Sequence, residues 1–177
     1  MPQTQGIAEA LDERGLMAKA AALGVILEQE EIADHVEAET GDGLSPRTQS
    51  SYEEAAAEVS DAADPRAAYT LYPMHSDDTG VRVGDVLLAS PKISAAMRHC
   101  HTGIVFAVTL GEALDERIAA AQDENGSYGY VLDEVASKTV EYAAEQTKAT
   151  LEEALPDGKS LTERYSPGYC DWPVQEQ

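Results

Sequence analysis

The order of helix-like and strand-like stretches predicts an α+β fold: a single domain with a small, mostly antiparallel sheet flanked by helices, preceded by a helical extension. Apolar residues recur at helical spacing in two long stretches, 7–40 and 127–160. Between them lie short runs of strand composition at 67–74, 81–90 and 102–111. These runs do not alternate regularly with helices, as the strands of a doubly wound parallel sheet would. At 177 residues the chain is long enough for one ordinary domain with a real core.

Each element has its own warrant. In 7–40 the residues Ile7, Leu11, Leu16, Leu23, Ile26, Leu27, Ile32 and Val36 are spaced for one helical face. "ETGDGLSPRTQSS" (39–51) is a polar break with Gly and Pro, and is expected to be a linker. A helix over 50–63 follows, ending near Asp64 because the residue before Pro65 resists the helical region. "AAYTLYPM" (67–74) is a strand and "HSDDTG" (75–80) a turn. "VRVGDVLLAS" (81–90) fits a strand with a bulge or a tight hairpin. Pro91 after Ser90 opens a short helix over 91–100. "TGIVFAVTLG" (102–111) is continuous, β-branched and bounded by glycines, the pattern of a strand buried on both faces. "TLG" is its strand-to-helix turn, and "EALDERIAAAQDE" is the helix beyond, with Glu112, Asp115 and Glu116 in its first turns, where the helix dipole favours them. In 127–160 Leu132, Val135, Ala136, Val140, Ala143, Thr147, Leu151 and Leu155 line one face, until Pro156 and Gly158 stop the helix. The expected organisation is an extension and linker over 1–50 and the domain over 51–177.

Composition narrows the function. The net charge of −21 disfavours nucleic acid and anionic membrane surfaces, which need a basic patch. No apolar run approaches the ~18 residues of a membrane span. The start lacks the basic and apolar regions of a signal peptide, so the cytoplasm is expected. Cys100 and Cys170 do not make a disulfide framework. "HCH" at 99–101, with His75, invites a metal reading, but residues two apart do not share a helix face and there is no spaced second pair. His99 and His101 are expected as a helix-end cap and a surface residue. There is no phosphate loop and no nucleophile elbow.

The stretch that stands out is "RYSPGYCDWP", 164–173. It holds the chain's single Trp and two of its eight Tyr. Pro167 and Gly168 make a turn whose backbone can lie close to another molecule. Arg164 can present a bidentate fork to a carboxylate or phosphate. Tyr165 and Tyr169 offer ring faces to an aromatic group or a cation, and Asp171 adds a negative charge. A zwitterionic ligand with a ring would suit this set. The same residues also fit a purely structural turn, with Arg164 in a salt bridge and Trp172 plugging the core.

"RYSPGYCDWPVQEQ" resembles the S-adenosylmethionine-binding signature of the activation (reactivation) domain of cobalamin-dependent methionine synthase. It resembles still more the small stand-alone proteins related to that domain. Their pattern is Arg, any residue, a small residue, then Pro-Gly-Tyr, which Arg164, Ser166, Pro167, Gly168 and Tyr169 match. "DPRAAYTLYP", "IVFAVTLGEALDERI" and the helix with "VEYAAE" are similar to the same family in the same order. The resemblance spans 64–177 and does not reach residues 1–50.

The resemblance implies a protein that binds S-adenosylmethionine and supports reductive methylation of cob(II)alamin. Arg164 would hold the ligand's carboxylate, the backbone around Ser166 would contact its adenine or amino-acid end, and Tyr169 would pack on it or hydrogen-bond to it. An acidic residue of the long helix, Glu141, with Ser137 and Glu145 as alternatives, would meet its amino group. No "DxHxxG" corrinoid segment is found here, so the cobalamin would be carried by a partner, a corrinoid-binding methyltransferase such as a methionine synthase. A flavodoxin- or ferredoxin-like donor would supply the electron. Flavodoxins are acidic, so with a net charge of −21 the electron is expected to arrive through the partner. The chain departs from the family in "CDWP", in Cys170 where the stand-alone proteins often carry Gly, and in stopping at Gln177, which predicts a domain shortened at its C-terminus. A second reading is a non-catalytic binding or assembly module for another corrinoid protein, and a third is a degenerate fragment that binds no ligand.

Overall fold

The computed structural model describes residues 21–24, 27, 29–40 and 45–176. The fold is α+β. In chain order the elements are β1 (Ala21–Gly24), α1 (Gln29–Thr40), α2 (Pro46–Ala62), β2 (Arg66–Asp77), β3 (Gly80–Val83), β4 (Val86–Leu88), α3 (Pro91–Met97), β5 (Thr102–Thr109), α4 (Glu112–Glu124) and α5 (Gly126–Glu153), with one 3₁₀ turn at Val174–Glu176. β2, β3 and β4 form an antiparallel meander in which Met74 faces Val83 and Val81 faces Leu88. β1 and β5 also pair with β2.

The chain divides into two compact units, each built from separate stretches of sequence. One comprises 22–68 and 107–147. Here Ile32 and Val36 of α1, Ala55, Ala56 and Val59 of α2, Leu114 and Ala121 of α4, and Leu132, Val135, Ala136 and Ala143 of α5 are buried. α1 and α4 both pack on α2. Two tyrosine–carboxylate pairs lock the helices. The Tyr52 hydroxyl donates to Glu134 (2.6 Å), whose other oxygen meets Lys138 Nζ at 3.2 Å. The Tyr128 hydroxyl donates to Glu58 (2.7 Å), and Arg117 pairs with the buried oxygen of the same carboxylate. Burial and the Glu134 hydrogen bond push the Tyr52 hydroxyl up to about 12. Burial likewise raises Tyr128, helped by Glu58. Glu134 is held below the usual carboxylate range by the bond it accepts from Tyr52. The junction between α4 and α5 is so close that a side chain at Gly129 would collide with the Gln122 backbone (2.5 Å), which restricts this position to glycine.

Among the described residues, the other unit contains Ala21, 69–106 and 148–176. Its core is Met74, Val81 and Ile93, with Val83, Leu88, Met97, Cys100, Tyr165 and Trp172 packed around them. α3 lies against β3. Ser90 caps α3 by accepting from the Ile93 amide, and Pro91 takes the first helical position, where its missing donor costs nothing.

Five sequence expectations need correction. Within the stretch read as helix over 7–40, residues 21–24 form a strand, because pairing with β2 overrides a helical spacing already weakened by Gly24; residues 7–20 lie outside the described residues. α2 begins at Pro46, not at 50: Ser45 accepts from the Thr48 amide, and Pro46 starts the helix where it was expected to break the chain. β2 runs on through Asp77, so the turn shrinks to Asp78–Thr79, closed by the Asp77 side chain accepting from the Thr79 amide. β5 is not buried on both faces: its burial alternates, and Val105 is 47% exposed. The segment 81–90 is the tight hairpin, turning at Gly84–Asp85. Arg98, not His99, caps the end of α3.

Among the described residues no helix is long and apolar enough to cross a membrane.

Candidate ligand-binding turn

α5 ends at Glu153, and the chain leaves it under restraint. Glu152 accepts from the Leu161 amide (3.2 Å), and Lys148 pairs with Glu163 (3.2 Å). These contacts fix the chain just before Arg164, which is half-buried. Tyr165 then turns inward onto the Met74–Val81–Ile93 core.

The next residues form two consecutive turns. The Tyr169 amide donates to the Ser166 carbonyl (3.0 Å), with Pro167 and Gly168 at the centre. Gly168 has φ +97°, which with Pro before it defines a type II turn, and a glycine is needed there because other residues resist that φ. The Trp172 amide donates to the Tyr169 carbonyl (2.9 Å), and the Gly168 amide donates to the Trp172 carbonyl (2.9 Å). Cys170, at the first central position of this second turn, has φ +55°. It is the only described non-glycine residue in the left-handed region.

The turns are anchored from behind. Trp172 packs on the core. The Ser90 hydroxyl, fully buried, donates a hydrogen bond to the Asp171 carboxylate. That bond, aided by the backbone and charge of Lys92, holds the Asp171 carboxyl below its usual range. The outer face is open: Tyr169 is 44% exposed, and Gly168 and Cys170 are exposed.

This geometry sorts the residues singled out in the sequence. Arg164, Ser166, Pro167, Gly168 and Tyr169 sit together on one braced loop. The Gly168 and Tyr169 amides are already spent inside it. Asp171, read from sequence as a charge offered to a ligand, is engaged by Ser90 instead. Glu141, like Ser137 and Glu145, is exposed on the part of α5 that belongs to the other unit. Ser90 was not singled out for this site, because nothing local in the sequence links it to a residue 81 positions away.

A separate cavity of 390 Å³ is lined by Ser76, Asp77, Asp78, Pro91, Ser94, Ala95 and Arg98. Its polar groups are largely engaged: Ser76 donates to the Met97 carbonyl, Ser94 to the Asp77 carbonyl, and Arg98 Nε to the Ala95 carbonyl. Among the described residues no cluster of three or more His, Cys, Asp or Glu side chains could hold a metal ion.

Compared with known proteins, the chain matches no family model and no curated relative.

Proposed function

We propose that the protein binds S-adenosylmethionine at the 164–169 turn and acts as an activation protein, supporting reductive methylation of cob(II)alamin on a separate corrinoid methyltransferase. The observation that carries this reading is the construction of the turn. The segment that resembles the S-adenosylmethionine signature is a type II turn braced from behind, with Tyr169 exposed on its outer face. The positive φ of Cys170 adds support, since it suits the Gly that the stand-alone proteins often carry there.

The ligand and the partner's corrinoid supply the chemistry, a sulfonium methyl and a reduced cobalt, with the electron coming from a flavodoxin- or ferredoxin-like donor. The role of this chain is to bind and orient. Arg164 holds the carboxylate through charge-assisted hydrogen bonds, each contributing about 1.5–3 kcal/mol. Tyr169 lays its ring or hydroxyl against the ligand. Pro167 and Gly168 set the turn that lies between these two residues. No acid or base from the chain is required, and positioning is what it contributes. A net charge of −21 disfavours direct docking of an acidic donor, so the electron comes through the methyltransferase.

The test is an anaerobic reconstitution with a methionine synthase that lacks its own activation domain. With S-adenosylmethionine and a reductant, the wild-type protein is expected to convert the cob(II)alamin absorbance to that of methylcobalamin. Arg164→Ala and Tyr169→Ala are expected to abolish the conversion. Conversion that proceeds equally well without the protein would overturn the proposal. The competing structural reading, in which the turn only closes the fold, draws on the packing of Trp172. It requires Arg164→Ala to change stability and nothing else.

A further inference from the structure

We propose that Ser90 and Asp171 are positioning residues for the ligand turn: a clamp from the start of α3 that holds residues 166–172 in their binding shape. This rests on the functional reading above and extends it to two residues outside the resemblance pattern.

Three observations converge. Ser90 is completely buried, yet its hydroxyl serves two segments at once, accepting from the Ile93 amide (3.1 Å) and donating to Asp171. A cap needs only the first of these contacts, so the second is an additional tie to the tail. Asp171 occupies the second central position of the Tyr169–Trp172 turn, and that turn shares the Tyr169 carbonyl and the Gly168 amide with the 166–169 turn. Fixing Asp171 therefore fixes the peptide groups on both sides of Tyr169. Next to it, Trp172 packs against the core that includes Ile93. A polar tie and an apolar anchor at adjacent residues hold the loop against one helix end.

The physical consequence is preorganisation. The loop includes a residue at φ +55° that is not glycine, a conformation an untethered chain would seldom adopt. Without the clamp, a ligand must order the loop as it binds, and affinity falls by that ordering cost.

Trp172, the single Trp of the chain, reports the clamp without any ligand. Asp171→Ala and Asp171→Asn alter an exposed residue and leave the Ser90–Ile93 capping bond in place; Ser90→Ala tests the other partner, and Ser90→Thr keeps the hydroxyl. In the free proteins, Asp171→Ala and Ser90→Ala are expected to red-shift Trp172 emission and raise its quenching by acrylamide, while Ser90→Thr stays close to wild type. By calorimetry the same two variants are expected to bind S-adenosylmethionine about five- to thirty-fold more weakly, the range that a loss of one or two kcal/mol produces. Asp171→Asn falls between them and the wild type, because it keeps an acceptor and loses the charge. Wild-type affinity in Asp171→Ala would overturn the positioning role alone. Unchanged Trp172 shielding in Asp171→Ala would overturn the clamp. A folded wild-type protein with shielded Trp172 that binds no S-adenosylmethionine would overturn the functional reading, and the positioning role with it.

Discussion

The molecule uses tyrosine in two different ways. In the helical unit, the hydroxyls of Tyr52 and Tyr128 donate to Glu134 and Glu58, and each carboxylate also has a cation, Lys138 or Arg117. In the C-terminal loop, Tyr169 sits on the outside of a braced turn with 44% of its surface exposed. The first arrangement spends its polar groups on holding helices together. The second holds its backbone fixed and leaves side chains facing outward. A cluster of aromatic and charged residues says little until it is clear whether its polar atoms are already engaged. The exposed phenol of Tyr169 therefore sets the loop apart from the Tyr–Glu pairs, whose hydroxyls are engaged.

Substitutions can break this contrast if it is false. The largest effect is expected in the helical unit: Leu132→Ala removes a fully buried side chain and should destabilise by about 2–5 kcal/mol in urea unfolding. If the loop is an independent site, S-adenosylmethionine binding by the folded fraction should stay within about twofold of wild type. Tyr128→Phe comes next. It leaves the Glu58 carboxylate without one of its donors and should destabilise by about 1–3 kcal/mol. Tyr52 and Glu134 make the contrast visible through pH. Glu134 is depressed in the fold, so its contribution is present above the ordinary glutamate range and is lost as pH falls through the depressed value. Tyr52 is raised, so its contribution is complete below pH 10 and is lost as pH rises toward about 12. Melting temperatures should fall at both ends, and Tyr52→Phe should flatten the alkaline limb. The smallest effect is expected in the loop. Cys170→Gly relieves a left-handed residue and should stabilise by about 0.5–1 kcal/mol, the left-handed strain less the entropy of glycine.

What could be read from the sequence follows the range of the forces involved. Helices α4 and α5 are local objects, and the acidic start of α4 and the apolar spacing of α5 reveal them. The type II turn is equally local, because Pro167 and Gly168 set its dihedrals themselves. Pro46 and Pro91 both begin helices, but only Pro91 was read that way, because Pro46 sits among Gly and Ser residues that resemble a linker. β5 looked doubly buried because an unbroken apolar run does not reveal that one face is left uncovered. The contacts that brace the loop and lock the helices join residues 81, 82 and 70 positions apart, and no local pattern encodes them. Arg164, Ser166, Tyr169 and the core-facing Trp172 are thus visible in the sequence as a set, while Ser90, which ties their loop to α3, is not.

The most direct measurement of the central claim is calorimetric titration of S-adenosylmethionine into the purified protein, with Arg164→Ala measured beside it. Saturable binding at one site is expected, weakened about a hundredfold in Arg164→Ala, as the loss of charge-assisted hydrogen bonds to a carboxylate implies. A folded wild-type protein that gives no binding heat, or an Arg164→Ala variant that binds as the wild type does, would contradict it.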